Sequence, residues 1–491
     1  MSVKIPLQPI PVLNFISGKF KSGNGIKQNI HSPHNGALIG EVHHSTAEDV
    51  NQAVHAAVIA QKNWAATPVK ERSKVLFNLR QILLRDLDEI AHLKSSESGK
   101  TFQEGKAGLL KGIEVLEFAT SLQNLDIGGK LEVSRGVTCE YRRQALGVVA
   151  SITPFNFPAM VPFWTIPTAL ALGNAYIWKP SDKTPLTSLK IAEAMTEAGI
   201  PQGVFQVLQG GTETSQALID HKDISAIAFV GSTPVARQVY QRGTHLGKRV
   251  LALGGAKNHI VLLPDAQPEI SGPGISDSFT GCAGQRCMAA AVLLAVGDVE
   301  IHIQKILERA RSLELGKDMG ALISKSQVEF IHQQIEKAAH EGAKILLDGR
   351  NSPPPVGQEN GNWMGPTILD HVSPTQDIAK LELFGPVLCI IRCKDISEAM
   401  AIENSSKMGN ACAVFTSSGA LAEKVISLAS TGMVGVNVGV PVPREPFSFG
   451  GIHESKFGHG DITGISSLDF WSNLKKITVK WDQQHDNNWM S

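Results

Sequence analysis

A chain of 491 residues, 42% hydrophobic and 19% charged, is too long for one hydrophobic core and has the composition of a globular protein with two or more lobes. Lys plus Arg and Asp plus Glu both number 46, so no net field favours nucleic acid or an acidic membrane, and Lys475-Lys476 reads as solvated surface. The six cysteines lack the paired spacing of a zinc site, the longest apolar stretch (287–296) is too short to span a bilayer, and the proline-broken N-terminus has no signal-peptide core. A cytoplasmic protein without a metal is expected.

In chain order, Ser45-Thr46-Ala47-Glu48 has the form of a capping box, followed by Val50, Val54 and Val58 on one helical face. Thr67-Pro68 opens a second helix with Leu76, Leu79, Ile82 and Leu83 turned inward, and Lys111-Gly112-Ile113-Glu114 begins a further apolar-striped stretch. The first two helices read as a cover, not a site. The rhythm then changes to strand and helix in alternation. Strands at 147–152, 175–178, 204–208 and 226–230, with a helix opened by Thr184-Pro185 and closed by Gly199, imply a parallel sheet with ligands at the strands' carboxyl ends. A second alternating series follows Gly255: helices at 301–313 and 396–404, strands at 343–347, 411–415 and 433–438, and a Pro/Gly/Asn-rich surface loop at 351–362. The expected fold class is α/β with two lobes. Residues 470–481 read as a strand reaching toward a partner subunit.

Chemistry concentrates at Phe279-Thr280-Gly281-Cys282-Ala283-Gly284-Gln285-Arg286-Cys287. An isolated cysteine is more often a buried structural thiol. Here small residues leave room for a substrate carbon, and Arg286 is expected to lower the Cys287 thiol pKa. Upstream, Leu253 stands 34 residues before Cys287 (287 − 253), where a carboxylate would equip the site to activate water. Asn156, between two aromatics and two prolines, has an amide suited to an oxyanion, or is simply turn chemistry. Lys179 and Asp182 either hold ribose hydroxyls or are helix-entry charges, and Gly231-Ser232-Thr233 either offers amides to a phosphate or caps a helix. There is no G-x-G-x-x-G run and no P-loop, and His31, His34, His43 and His44 read as surface residues.

The ordered set Pro154-Phe155-Asn156-Phe157-Pro158, Lys179-Pro180-Ser181-Asp182, Phe229-Val230-Gly231-Ser232-Thr233, Gly281 to Cys287, and Glu382-Leu383-Phe384-Gly385-Pro386-Val387 resembles the successive signatures of the aldehyde dehydrogenase superfamily over nearly the whole chain. Gly255-Ala256-Lys257-Asn258-His259, Gln285-Arg286-Cys287 and the run from Gly435 to Pro443 resemble its CoA-acylating methylmalonate-semialdehyde branch. The resemblance implies an NAD-binding lobe over 1–127 and 142–252, a catalytic lobe over 253–440, and an oligomerisation arm with C-terminal segment over 128–141 and 441–491, assembling a homotetramer.

Carried over residue by residue, Cys287 is the nucleophile, and the Asn156 amide with the Cys287 N–H forms the oxyanion hole. Lys179 and Asp182 meet the adenosine ribose; Thr153, Phe155, Lys183, Gly231 and Ser232 line the dinucleotide; Gly254 lies near the nicotinamide; Glu382 and Phe384 position its ribose and ring. Arg286 and Lys111 clamp a substrate carboxylate. The implied reaction is NAD- and coenzyme A-dependent oxidation of methylmalonate or malonate semialdehyde, with decarboxylation, to propionyl- or acetyl-CoA. A hydrolytic dehydrogenase of another semialdehyde and a non-catalytic NAD-binding relative are the alternatives. The chain departs from the branch at Lys111 (usually Arg), at Asp182-Lys183 (usually Glu-Arg), at Ala236 (often Gly) and in a shortened stretch around 313–319.

Overall fold

A computed structural model describes residues 3–125 and 128–481. Residues 1–2, 126–127 and 482–491, which fall within the expected lobe and arm segments, lie outside the described residues.

Five parallel strands form the heart of an eight-stranded sheet, in the spatial order Phe205–Val207, Ala175–Lys179, Val148–Ile152, Ile224–Val230, Arg249–Leu253. From Val148–Ile152 the chain builds outward on one side, then returns to lay Ile224–Val230 on the other. The topological switch point therefore falls between these two strands, and an open parallel sheet presents its ligand crevice there. Thr153, Phe155 and Asn156 follow one of them and Gly231 and Ser232 the other. Val148–Ile152 and Ala175–Lys179 are buried along their whole length, as strands covered by helices on both faces must be.

The second sheet has seven strands, all parallel except Lys344–Leu347 at one edge. Its centre is Asn258–Leu262 beside Ala290–Val296. Cys287 precedes Ala290, so the thiol loop enters this sheet at the start of a strand, the opposite end from the switch-point crevice of the first sheet.

The helix Ala47–Ala66 packs on the first sheet, while Val69–Arg85, Leu87–Ser98 and Phe102–Thr120 pack mainly on other helices; Leu87–Ser98 is an addition to the expected apolar-striped stretches. The capping box falls one residue later than expected: Thr46 pairs reciprocally with Asp49, because the Ser45 hydroxyl donates to Asn14 Oδ1 at 2.9 Å and is held in the sheet. The helix after Pro185 runs Leu186–Ala198 and ends at left-handed Gly199. Its first turn is capped from a distance by buried Glu97, whose carboxylate accepts the N–H groups of Leu186 (2.6 Å) and Thr187 (3.0 Å).

Residues 470–481 differ in part from expectation. A short helix, Ser466–Trp471, precedes the strand Ser472–Lys480, which pairs antiparallel with Val137–Ala145 of the same chain. With Gly128–Ser134 these strands make a separate three-stranded sheet. His34 is a second correction: it is buried, 3% exposed, with Nε2 3.1 Å from the Ser95 carbonyl, because the ring packs against Trp363. Among the described residues no helix is long and apolar enough to cross a membrane.

Candidate active site

The thiol loop begins where the helix Pro268–Thr280 ends, in a tight turn over Gly281–Gly284. Cys282 and Ala283 both adopt left-handed backbone, with φ of 57° and 52°. L-residues pay about 1–2 kcal/mol each for that conformation, so the surroundings hold this turn open. Gly284 follows at φ +69°, and a Cβ there would sit 2.1 Å from the Gly385 carbonyl oxygen, so only glycine lets the thiol loop touch the segment carrying Glu382 and Phe384.

Cys287 is aimed through its own carbonyl, which accepts from Asn258 Nδ2 at 2.7 Å and Asn410 Nδ2 at 3.0 Å. Asn258 also donates to Ala289 O at 2.9 Å and accepts from the Ala411 N–H at 3.1 Å, tying three strand starts together. Neither asparagine was singled out as functional from the sequence. The signal available was an amide side chain at a strand entry, Asn258 opening Asn258–Leu262 and Asn410 directly preceding Ala411–Phe415. Asn156 is buried and its Nδ2 donates to Gln285 O at 3.0 Å, two residues from Cys287. An amide nitrogen carries two hydrogens, so one remains for a developing oxyanion.

The thiol itself contradicts the expectation of a lowered pKa. Burial, and then the nearby Glu382 carboxylate, push Cys287 up to about 12. Arg286 opposes this weakly, because its Nη2 is turned away to the Asp277 and Ser278 carbonyls at the end of the preceding helix. Its Nε is buried without a hydrogen-bond partner.

Cys287, Arg286 and Lys111 line one cavity of about 470 Å³, so the three expected thiol and substrate residues do converge. Lys111, however, is engaged: its Nζ lies 2.7 and 2.9 Å from the two oxygens of Glu114. Arg444, not anticipated, reaches the same Glu114 at 4.0 Å and also lines the cavity. Leu253 is 4% exposed and packs in the core cluster that Cys287 borders. The carboxylates on the cavity wall are Glu104, Glu114 and Glu445. Glu104 accepts the N–H groups of Thr101 and Cys282, and burial shifts Glu445 upward.

The expected cofactor residues gather on the other side of the thiol. Glu382 shares a narrow cleft with Cys287 and Phe384; it accepts the Ala256 N–H at 2.9 Å, and burial pushes it up to about 7. The Phe384 ring meets Phe155 edge-on at 5.8 Å, and the Lys183 Nζ stands 5.3 Å from the Phe155 ring centre. Thr153 accepts from Trp178 Nε1 at 2.8 Å. Lys179 is buried, donates to Gly210 O at 2.5 Å, and is pushed down to about 8 by burial.

Asp182 lies near Gly211 and His44 at the same strand ends. Gly231 gives its N–H to Leu253 O at 3.1 Å, while Ser232, the N-cap of the helix Thr233–His245, makes no side-chain capping bond. Such an uncapped helix start at a switch point suits a phosphate. Ala236 lies buried in that helix. Gly254 is packed so closely that a Cβ would fall 2.6 Å from Glu454 O, and the next amide, Gly255 N, donates to Thr233 Oγ1 at 2.9 Å. The uncapped helix start, the Asp182 carboxylate at the strand ends and the close-packed glycines together fit a dinucleotide.

A cysteine-bearing loop set beside a parallel sheet with a switch-point crevice gives the chain the α/β architecture of an oxidoreductase. Residues 20–477 match the aldehyde dehydrogenase family, and the chain belongs to that family. It is 39% identical over 477 residues to malonate-semialdehyde dehydrogenase 1 of Geobacillus kaustophilus (strain HTA426), covering 96% of this chain and 97% of the relative. Its fold matches methylmalonate-semialdehyde dehydrogenase (DddC) from Oceanimonas doudoroffii with a TM-score of 0.94 and 35% identity, over 96% of this chain and 99% of that one. A Sinorhizobium meliloti 1021 protein, assigned as a methylmalonate-semialdehyde dehydrogenase and solved with NAD, gives a TM-score of 0.94 at 37% identity, over 97% and 99% of the two chains.

Proposed function

We propose that the protein is an NAD- and CoA-dependent dehydrogenase of malonate or methylmalonate semialdehyde that works through a thioacyl-enzyme on Cys287. The names of the relatives support the substrate class, and the observation that carries the acyl acceptor is Leu253. The position that would carry a water-activating carboxylate is apolar and buried, so the site is poorly equipped to hydrolyse a thioester. A free thiol is a few per cent ionised near neutral pH and needs less help than water.

In this reading the Cys287 sulfur attacks the aldehyde carbon, and its oxyanion is met by the second Asn156 N–H and the Cys287 amide. NAD, when bound, supplies the hydride acceptor. Thr153, Phe155, Lys183, Gly231, Ser232 and Gly254 line its site, Lys179 and Asp182 meet the adenosine ribose, and Glu382 and Phe384 orient the nicotinamide end. The CoA thiol then takes the acyl group from Cys287. The β-carboxylate leaves as CO2, its electron pair passing toward the thioester carbonyl and ending on a protonated carbon. The balance is semialdehyde anion, NAD⁺ and CoA–SH giving acyl-CoA, CO2 and NADH. Arg286 and Lys111 hold the carboxylate, Lys111 after exchange from Glu114. In this reading the lobes are 1–127 with 142–252 and 253–440, the strands of 128–141 and 472–480 serve as an assembly arm of a homotetramer, and the enzyme works in the cytoplasm.

A second reading, hydrolysis, has one observation in its favour: Glu445 lines the cavity with its carboxyl shifted upward by burial, as suits a general base. Product identity separates the two. Acyl-CoA formation supports the first; free acid as the sole product, abolished by Glu445→Gln, supports the second.

A further inference from the structure

Beside the thiol loop stands a pair that the reaction does not use. The Lys100 Nζ lies 3.1 Å from the sulfur of Cys282 and 3.4 Å from the centre of the Phe157 ring. Both residues are buried, Lys100 at 3% and Cys282 at 8% exposure, yet Cys282 lines the same cavity as Cys287.

The pair is built rigidly. Lys100 occupies the turn between Leu87–Ser98 and Phe102–Thr120, with Gly99 left-handed at φ +78° and so close to Ala321 O that a Cβ would lie 2.4 Å away. Glu104 then joins the two backbones: one carboxylate oxygen accepts the Thr101 N–H, next to Lys100, and the other accepts the Cys282 N–H. The left-handed backbone of Cys282 and Ala283 is the strain that this arrangement holds in place.

We propose that Cys282 and Lys100 form a peroxide-reactive modification site, in which oxidation closes a covalent sulfur–nitrogen bond between them. A thiolate, not a thiol, reduces peroxide, and a cation against the sulfur stabilises that charge. At Cys287 burial and Glu382 hold the thiol high against the weaker pull of Arg286, which faces helix carbonyls, and of Lys100, whose ammonium is in contact with the Cys282 sulfur instead.

The chemistry balances in two steps. The Cys282 thiolate takes one oxygen from hydrogen peroxide, giving a sulfenic acid and hydroxide; sulfur is oxidised by two electrons and the O–O bond breaks. Hydroxide removes a proton from the Lys100 ammonium, and the amine displaces water from the sulfenic sulfur. In sum, thiolate, ammonium and one peroxide give an S–N bond and two waters. The crosslink removes the ammonium from the Phe157 face, next to Asn156, and a thiol reductant reverses it.

The test exposes the full-length enzyme, without NAD or aldehyde, to stoichiometric hydrogen peroxide and maps its peptides by mass spectrometry. The expected product is the Lys100 peptide joined to the Cys282 peptide with the loss of two hydrogens, reversed by dithiothreitol and absent in Cys282→Ser. In Lys100→Gln the same treatment with dimedone gives a dimedone adduct on Cys282. Oxidation of Cys287 while Cys282 stays open to alkylation overturns the proposal, as does a Cys282–Cys287 disulfide. Because the wild-type peptide map decides the matter, misfolding of either variant leaves the test intact.

Discussion

At the scale of single residues, the cavity beside Cys287 is set by burial and by which charged groups are already engaged, Arg286 by helix carbonyls and Lys111 by Glu114. Cys287, Asn156, Glu382 and Phe384 do meet around one loop, because motif order constrains which strand ends carry them. What Arg286 and Lys111 point at is set by nearby groups that the motifs do not name: Asp277 and Ser278 carbonyls for Arg286, Glu114 one helix turn on for Lys111. The thiol followed its environment, not its neighbour in sequence, since burial outweighs a guanidinium engaged elsewhere. If the unpartnered face of Arg286 holds the substrate carboxylate, Arg286→Leu raises KM for the acid-aldehyde by about tenfold to a hundredfold, the range of a charged hydrogen bond, and leaves KM for propanal nearly unchanged. Steady-state kinetics on both aldehydes check this, and equal effects would count against the clamp. In the proposed reading, where Glu382 accepts from a ribose hydroxyl of NAD, it sets a pH dependence of binding. Burial raises its carboxyl to about 7, so the ionised acceptor for a ribose hydroxyl is present above that pH and is lost as pH falls through it. The dissociation constant for NAD should therefore rise by about tenfold per unit below pH 7, while Glu382→Gln binds weakly with little pH dependence. Titration calorimetry from pH 5.5 to 8.5 covers the window, since the free-carboxyl value lies below it.

At the scale of elements, the alternation of buried strands and helices made the parallel sheet and its switch point readable from 147 to 230, since that pattern is local. Pairing across long sequence distances was less so. The strand Ser472–Lys480 read as a strand, but its partner Val137–Ala145 lies more than 300 residues away in the chain, and no local period encodes that register. The capping box shifted by one residue for a similar reason, the Ser45 hydroxyl having a tertiary partner. The contact between the thiol loop and the Glu382–Phe384 segment also becomes visible only in three dimensions. Gly284→Ala places a methyl against Gly385 backbone in a left-handed conformation. Strain and overpacking together predict a loss of about 3 kcal/mol of stability with a large fall in kcat, read by thermal unfolding and turnover. Unchanged stability and activity would show that the two segments separate freely.

At the scale of the whole molecule, two sheets present opposite ends to one cavity, the dinucleotide-type sheet its strand ends and the thiol sheet its strand starts. That facing arrangement was legible only as a family resemblance, since nothing local relates the two sheets. The arm sheet carries Leu131 at 69% and Val133 at 53% exposure, apolar surface suited to another subunit. If these strands form the proposed tetramer interface, replacing both with Asp lowers the sedimenting mass, and an unchanged mass removes them from it. The central claim is that Leu253 makes a thiol, not water, the acceptor of the acyl group on Cys287. Its most direct test is NADH formation from malonate semialdehyde, with NAD in excess, followed with and without CoA. The account predicts continuous turnover with CoA and, without it, a burst of about one NADH per Cys287 followed by near arrest. Equal continuous turnover in both, with free acid as the product, would contradict it.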